Sequence, residues 1–432
     1  MSRDPGGGAM ERESVRDGRI LFVAANADSW GGSEELWAGA AVKLCGSGAE
    51  VTATRKDQLR GCVRHPKWAH LEERGVRLRN VQPLGWQNLA AHAAQFCLPW
   101  NRRIKRFASD WFFARNLRRL LSDSELVVIS QGCMFDGIQE YDFPGDCRAA
   151  GKPYVLICQK SSDLYWPWDP SRQRVQAAFQ HAERVYFVSH HNRLLTEEQL
   201  GMSLPQAEVV FNPFMVSAEA PLDWPASDGS PWRLACVARL YPSEKGQDLL
   251  LRVLSRPKWR ARDLDVNFFG SGVYRKGLEE MARFLRLERV RFCGFATDIK
   301  QVWREHQGLV LPSRAEGLPL ALVEAMMCGR FGIVGDAGGS GEVFTDDVTG
   351  FLSKAPTEDS LDDAMERAWM RRAEWKQIGL LASKAIRRSV PGDPCGEFAA
   401  RLENVVAAQR ARVHSGAGSL RPVSADPSQA SS

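Results

Sequence analysis

The chain has 432 residues, 44% of them hydrophobic and 25% charged, with a formal net charge of +5. This is ordinary globular composition at a length that predicts two domains, and the small charge gives no general support for nucleic-acid binding. The ten cysteines form no C-x-x-C pair or Cys/His cluster, so a zinc site is not expected and the cysteines are predicted to be reduced, in a cytoplasmic protein.

The sequence contains no predicted membrane span or export signal. No apolar run reaches the roughly 18 residues that a spanning helix needs. The polar, Gly-rich N-terminus lacks the apolar middle of a signal peptide. We therefore expect a cytoplasmic protein.

The order of the predicted elements indicates two α/β units. Strand-like apolar runs separated by helical stretches occur at 19–27, 126–130, 154–158 and 184–189. A second series follows at 232–240, 266–272, 290–295, 308–313 and 331–336. The predicted fold class is therefore α/β, with two Rossmann-like doubly wound parallel-sheet domains that face a central cleft.

The predicted domain limits follow from shifts in composition. Residues 216–231 are rich in Pro, Ser, Ala and Asp, which is typical of a linker. The predicted segments are a disordered N-terminus (1–17), a first domain (18–215), this linker, a second domain (232–390), a last helix that crosses back to the first domain (391–413) and a disordered tail (414–432).

The stretch SRAEGLPLALVEAMMCGR (313–330) places two acids, Glu316 and Glu324, around a predicted helix start. Pro319 suits the first helical position, and the free backbone N–H groups of Gly317 and Leu318 can bind an anion such as phosphate. The two carboxylates can accept hydrogen bonds from hydroxyls on either side, as a nucleotide sugar would require. Alternatively, both acids only stabilise the helix dipole, by about 0.3–1 kcal/mol each.

A second stretch, ARLYPSEKG (238–246), contains two cations near the end of a predicted strand. Open α/β sheets bind ligands at the carboxyl ends of their strands, so Arg239 and Lys245 can clamp a diphosphate there. Two surface cations near a helix start are also common without any ligand. Both stretches fall at strand ends of one predicted domain, which favours a shared site.

These motifs resemble the family 4 retaining nucleotide-sugar glycosyltransferases, which have the GT-B fold. The family's E-x7-E motif matches Glu316 and Glu324, and its phosphate-binding Arg and Lys match Arg239 and Lys245. The similarity extends over about 232–355. It implies that Glu316 contacts the donor sugar, Glu324 the ribose, and the two cations with the N–H groups of Gly317 and Leu318 the diphosphate.

The first half of the chain resembles the family more weakly. Gly31 and Gly32 in GGSEEL match a glycine turn that approaches the donor across the cleft, although such glycines are also ordinary turn residues. The family has a histidine after a mid-domain strand, where this chain has Gln159. His190 and His191 follow the next strand and are interpreted as structural or acceptor-side residues.

Other nucleotide and metal motifs are not supported. The DLD triplet at 263–265 precedes a predicted strand and is interpreted as surface, so no metal is expected. The GSG at 270–272 lacks the third glycine of a dinucleotide motif, and no P-loop motif occurs.

The predicted function is retaining transfer of a hexosyl group from a UDP- or GDP-linked donor to a glycan or lipid-linked acceptor, without a cofactor. The expected context is the synthesis of envelope polysaccharide, glycolipid or a related glycoconjugate. The alternatives are a catalytically degenerate scaffold of the same fold, which the missing histidine suggests, and an epimerase or phosphorylase of related fold, against which the two motifs argue.

The segment 102–119 has seven Arg or Lys residues, one Asp and several aromatic residues. Such a segment can lie on an anionic membrane at its cytoplasmic face, or it can be a solvated helix face with a buried aromatic side. Both interpretations remain open at this point.

Overall fold

The computed structural model of the chain describes residues 18–25, 30–55, 66–80, 117–132, 135–139, 142–217, 219–226, 229 and 231–415. Most of the basic segment 102–119, the predicted N-terminal segment 1–17 and all but the first two residues of the predicted tail 414–432 lie outside these ranges. Within them the chain forms two parallel sheets with helices on both faces.

The strands are short and apolar, as expected for buried parallel sheets. Those of the first sheet are β1 (Arg19–Ala24), β2 (Glu50–Arg55), β3 (Arg77–Asn80), β4 (Leu126–Gln131), β5 (Tyr154–Cys158), β6 (Arg184–Phe187) and β7 (Ala207–Val209). Those of the second sheet are β8 (Trp232–Val237), β9 (Leu264–Phe269), β10 (Val290–Gly294), β11 (Gly308–Leu311), β12 (Phe331–Gly335) and β13 (Gly350–Ser353).

Helices separate most of these strands. In the first half they are α1 (Gly32–Gly46), α2 (Pro66–Glu73), α3 (Asp136–Gln139), α4 (Phe143–Ala149), α5 (Asp169–Gln180) and α6 (His190–Leu200). In the second half they are α7 (Pro242–Lys245), α8 (Gln247–Leu254), α9 (Pro257–Arg260), α10 (Arg275–Phe284), α11 (Ile299–Glu305), α12 (Leu320–Met327), α13 (Glu358–Met370), α14 (Trp375–Ser389) and α15 (Pro394–His414).

In both sheets the first strand in sequence lies in the middle and later strands are added on either side in the same order. The strand order is β3-β2-β1-β4-β5-β6-β7 in the first and β10-β9-β8-β11-β12-β13 in the second, and the recorded pairs are parallel. In such a sheet all strands end at one edge, and the loops after them form the ligand side. The predicted fold class, two doubly wound parallel-sheet domains, is confirmed.

The last helix joins the first domain. Helix α15 packs along α1, and the ring of Phe398 lies edge-on against Tyr186 of β6 with the ring centroids 5.0 Å apart. Asp393 caps the start of α15 and accepts a hydrogen bond from Lys43 at 2.6 Å. The predicted domain limits themselves stay a prediction.

The structure differs from the sequence-based prediction at several element ends. Pro319 is not the first helical residue, because its extended backbone (ψ 117°) makes it the cap that precedes α12. Helix α15 includes His414, which was assigned to the tail. Four strands, β2, β3, β7 and β13, were not predicted; the first two alternate polar with apolar residues, and the others have only three or four residues.

Candidate donor site

A group of five charged side chains occupies the cleft edge of the second sheet, and we call it the charged cluster. Arg239 lies in the loop after β8, Glu244 and Lys245 belong to the short helix α7 that follows, and the loop after β11 places Glu316 beside them. The fifth member, Lys160, comes from the first domain, in the loop after β5. The group therefore contains three cations and two carboxylates.

The cluster is held by short ion pairs. Lys245 Nζ lies 2.7 Å from Glu316 Oε1, and the hydroxyl of Ser313 donates to the same oxygen at 2.7 Å. The structure thus brings together two residues that the resemblance assigns to adjoining parts of a donor, Glu316 to its sugar and Lys245 to its diphosphate. Both side chains are largely buried, so the pair is only weakly screened by solvent.

Glu244 connects the remaining cations. Lys160 Nζ donates to its Oε1 at 2.7 Å, and Arg239 Nη2 lies 3.4 Å from its Oε2. Burial raises the pKa of Glu244, but the charge and hydrogen bond of Lys160 lead the opposing interactions, and the net pKa lies below its ordinary value. Glu244 is therefore an ionised carboxylate that places cations from both domains around one point.

Sequence reasoning did not single out Glu244 or Lys160. Glu244 stands directly before Lys245 in the stretch that was examined, and Lys160 follows a strand end, so the strand-end rule would have suggested both. The sequence could not predict that the two residues form an ion pair. They are 84 positions apart, and their contact depends on how the two domains pack together.

The segment before α12 is packed closely between the two domains. A Cβ added at Gly317 would lie 2.2 Å from the carbonyl oxygen of Gln159 and 2.6 Å from Val188, both in the first domain. Only glycine fits at this distance. Among the described residues, no acceptor is recorded for the backbone N–H groups of Gly317 and Leu318.

The glycine turn of the first domain lies opposite this segment. Gly31 precedes α1, and a Cβ added at Gly32 would lie 3.1 Å from Leu320 at the start of α12. The turn is fixed by Glu34, whose Oε2 accepts from the backbone N–H of Gly31 and from the hydroxyl of Ser33, both at 2.8 Å. The structure thus places Gly31 and Gly32 across the cleft from the start of α12, and their contact with a donor stays a prediction.

Glu324 occupies a buried position one turn into α12. Its Oε1 accepts the backbone N–H of Met215 at 2.9 Å, and the residue is only 7% exposed. Burial, together with the negative charge of Glu35 from the first domain, raises the pKa of Glu324 to about 7. This carboxyl group therefore changes its charge near neutral pH.

Gln159 stands at the end of β5, beside Gly317. Its Oε1 accepts from Asn212 at 2.8 Å, while its buried Nε2 has no recorded partner among the residues that the structure describes. Burying an amide N–H without an acceptor is costly, which makes this group available for a ligand oxygen. An amide can donate a hydrogen bond at the position where the resemblance leads one to expect a histidine.

His190 and His191 contribute backbone rather than ring atoms to the recorded contacts of this edge. Their N–H groups, at the start of α6, donate to the carboxylate of Glu342 in the second domain at 3.0 and 2.6 Å. A carboxylate at a helix N-terminus is electrostatically favourable. Both rings are exposed, and the contact joins the two domains.

Two further observations concern metals and membranes. Within the described ranges no group of three or more His, Cys, Asp or Glu side chains is arranged to hold a metal ion, and Asp263 and Asp265 pair with Arg289. In the part of the chain that the structure describes, no helix has the length and apolar character needed to cross a membrane.

Comparison with known proteins gives a partial match to one family. Residues 231–370 match the family model described as glycosyl transferases group 1. An uncharacterized glycosyltransferase of Methanocaldococcus jannaschii is 28% identical over 127 residues, which are 28% of this chain and 34% of that protein. The matched segment thus spans about a third of that relative.

A second relative has a described activity. The GDP-mannose-dependent alpha-(1-6)-phosphatidylinositol monomannoside mannosyltransferase of Mycolicibacterium smegmatis is 30% identical over 142 residues, which are 31% of this chain and 37% of that protein.

Solved structures match over most of the chain. Anabaena HepE, in complex with UDP and glucose, aligns with a TM-score of 0.66 at 18% identity, over 89% of this chain and 99% of HepE. A glycosyltransferase from Rickettsia africae aligns with a TM-score of 0.67 at 15% identity, over 90% of this chain and 98% of its own. At these identities the likeness concerns the fold, and it identifies the two-domain arrangement as GT-B.

Proposed function

We propose that the protein is a retaining glycosyltransferase that moves a hexosyl group from a nucleoside diphosphate to an acceptor hydroxyl. The observation that carries this proposal is the charged cluster, which sets Arg239, Lys245 and Glu316 beside the N–H groups of Gly317 and Leu318, for which no acceptor is recorded in the described part of the chain. The group 1 glycosyltransferase match over residues 231–370, which include every member of the cluster except Lys160, supports it.

In the proposed reaction the bond between the anomeric carbon and the diphosphate oxygen breaks, and its electron pair leaves with the diphosphate. The acceptor oxygen forms the new bond on the same face, and its proton passes to the departing phosphate oxygen. Arg239, Lys245 and the two N–H groups stabilise the charge that grows on the phosphate, as preorganised donors do in other electrostatic sites. Glu316 accepts from sugar hydroxyls, Glu324 from the ribose, and Gly31 with Gly32 closes the cleft over the donor.

We further propose that the reaction needs neither cofactor nor metal, because the cations of the cluster can serve the leaving group. Activity should then survive dialysis against a chelator. The donor base is UDP or GDP. HepE was solved with UDP, whereas the mycobacterial relative uses GDP-mannose, so the relatives support a nucleotide sugar without choosing the base.

The proposed acceptor is a glycan or a lipid-linked sugar of an envelope polysaccharide, glycolipid or related glycoconjugate. A Salmonella typhi Vi polysaccharide biosynthesis protein is 37% identical over 100 residues, or 23% of this chain and 17% of that protein. The proposed location is the cytoplasm, with peripheral contact to the inner membrane face through residues 102–119.

The test is a calorimetric titration of the purified chain with UDP, GDP and ADP, repeated on Arg239→Ala and Lys245→Ala. A charged hydrogen bond contributes about 1.5–3 kcal/mol, so each substitution should weaken binding of the preferred nucleotide by roughly 10- to 150-fold. Lys276→Ala is the matched control. This lysine is exposed on α10, and its ion pair is a long surface contact, with Nζ 3.9 Å from Glu280 Oε1.

One observation favours a second candidate, a nucleotide-binding scaffold without transfer activity. Gln159 stands where the resemblance leads one to expect a histidine, and an amide cannot exchange protons as an imidazole does. Nucleotide release that depends on an acceptor would support the transferase. Nucleotide binding without turnover on any donor and acceptor would support the scaffold, and no binding by folded protein would contradict the donor site itself.

A further inference from the structure

A short segment of the first domain exposes an unusual amount of apolar and aromatic surface. Four side chains within five positions are exposed: Leu164 by 55%, Tyr165 by 40%, Trp166 by 60% and Trp168 by 71%. Large aromatic side chains are normally mostly buried, and a contiguous exposed group of them marks an interaction site. We call these four residues the aromatic platform.

The backbone under the platform is fixed. The buried side-chain amide of Gln199, on α6, donates to the carbonyl oxygens of Ser162 at 2.9 Å and Tyr165 at 3.0 Å. The hydroxyls of Ser161 and Thr196 are hydrogen-bonded at 2.7 Å, and Pro167 is buried between the two tryptophans. A ligand therefore meets a surface whose backbone is already ordered, which lowers the entropic cost of binding.

The platform begins at the candidate donor site. It belongs to the loop that follows β5, and Lys160 of the same loop pairs with Glu244 in the charged cluster. Leu164 comes four residues after Lys160, and four extended residues span at most about 14 Å. Trp166 and Trp168 follow Lys160 by six and eight residues in the same loop, so both lie at most about 29 Å along the chain from the charged cluster.

The two charged residues that directly flank the rings in sequence are both acidic. Asp163 and Asp169 bracket the platform, both are exposed, and no ion pair is recorded for either among the described residues. Acidic flanks disfavour an anionic lipid surface, which attracts basic segments. Carboxylates accept hydrogen bonds from hydroxyls, and the electron-rich face of an aromatic ring attracts the weakly positive C–H groups of a sugar ring.

We propose that the aromatic platform binds the glycan chain of the acceptor, and that this glycan is neutral and rich in hydroxyls. This inference rests on the proposed transfer function, since it assigns the second substrate of the same cleft. The sugars stack on Trp166 and Trp168, their hydroxyls donate to Asp163 and Asp169, and the chain end reaches the anomeric carbon of the donor.

The test uses the full chain and three neutral probes, maltohexaose, cellohexaose and hexa-N-acetylchitohexaose, titrated by calorimetry and by tryptophan fluorescence. At least one hexasaccharide should bind. The double variant W166A/W168A should weaken that binding roughly tenfold or more, because two stacking contacts are lost. W166Y/W168Y keeps aromatic faces and should retain most of the affinity, while Phe284→Ala, which removes a ring that is 84% exposed on α10, should change nothing.

Two results would overturn the platform as a glycan site. The first is the failure of all three hexasaccharides to bind the wild-type chain. The second is equal hexasaccharide binding by the wild-type chain and W166A/W168A. If the variant in that second case also loses binding to vesicles that contain one-third phosphatidylglycerol, the platform contacts a membrane instead.

Titration of the same preparations with UDP and GDP separates this inference from the proposed function. Hexasaccharide binding that needs the two tryptophans, in protein that binds neither nucleotide, would sustain the platform and remove the transferase. Nucleotide binding by a protein whose hexasaccharide binding does not depend on the two tryptophans would support the donor site and remove the platform.

Discussion

The two domains share one strand order but present different chemistry at their strand ends. The second sheet ends in charged side chains, the Arg, Lys and Glu of the charged cluster. The first sheet ends in a glycine turn, buried amides, a helix N-terminus and exposed aromatic rings. The first set suits phosphate and ribose, and the second suits a neutral sugar and its acceptor.

The difference indicates that the second domain binds the phosphate and ribose and the first domain the sugar and acceptor. Contacts between the two domains bring these residues together. Lys160 pairs with Glu244, the start of α6 binds Glu342, and Gly317 lies against the carbonyl of Gln159. The family match covers residues 231–370, the domain with the charged strand ends. Each prediction below changes one domain or their contact, in order of expected effect.

The largest effect is expected from Glu316→Gln. Glutamine keeps the size of the side chain but removes the charge that holds Lys245 and would orient the donor sugar. We expect kcat to fall about 10²–10³-fold, the range for losing one oriented polar group at a reacting centre, while nucleotide affinity stays within about threefold. Steady-state kinetics with calorimetry measure both, with the exposed Glu280→Gln as control. Unchanged kcat would remove Glu316 from the site.

Gly317→Ala tests the contact between the domains. The added methyl group would lie 2.2 Å from the Gln159 carbonyl, so the domains must separate. Displacement by about 1 Å can cost roughly 10²-fold in rate, and we expect a loss of up to that size in kcat/KM with nucleotide binding largely retained. Gly277→Ala is the matched control, because nothing lies within 4 Å of that helical position. Full activity of Gly317→Ala would show that the working state does not need this approach.

The sequence predicted the placement of the second domain's candidate residues better than that of the first domain's. Arg239, Lys245, Glu316 and Glu324 lie within about 90 positions of one another in two local stretches, and strand-loop-helix rules suffice to bring such stretches to one edge. The interdomain partners could not be derived in this way. The pairing of Lys160 with Glu244, and of Glu342 with α6, depends on the relative placement of two sheets, on which local periodicity has no bearing.

The pH dependence of nucleotide binding tests Glu324. Its raised pKa, about 7, means that the folded chain holds this proton, so its contribution to stability is complete below the ordinary value of 4.5 and is lost as the pH rises through 7. Ribose hydroxyls prefer the ionised carboxylate, so binding should change in the opposite sense and tighten about tenfold from pH 6 to pH 8. Glu324→Gln should abolish that part of the pH dependence. An equal slope in wild type and variant would show that the titration belongs to the nucleotide phosphate.

The smallest effect is expected from Gln159→Leu, which distinguishes sugar recognition from packing. The substitution removes the buried Nε2 that has no recorded partner, together with the acceptor of Asn212. If Nε2 donates to the donor sugar, affinity for the nucleotide sugar should fall roughly 2- to 10-fold, as expected for one neutral hydrogen bond, while affinity for the free nucleotide stays unchanged.

Gln131→Leu is the control, since Gln131 is also buried, at the end of the neighbouring strand β4. Equal losses in both variants, or equal losses for nucleotide and nucleotide sugar, would reduce Gln159 to a packing residue. A loss confined to the nucleotide sugar would show that the first domain contacts the donor sugar. One loop after β5 would then serve both substrates, because it carries Gln159, Lys160 of the charged cluster and the aromatic platform.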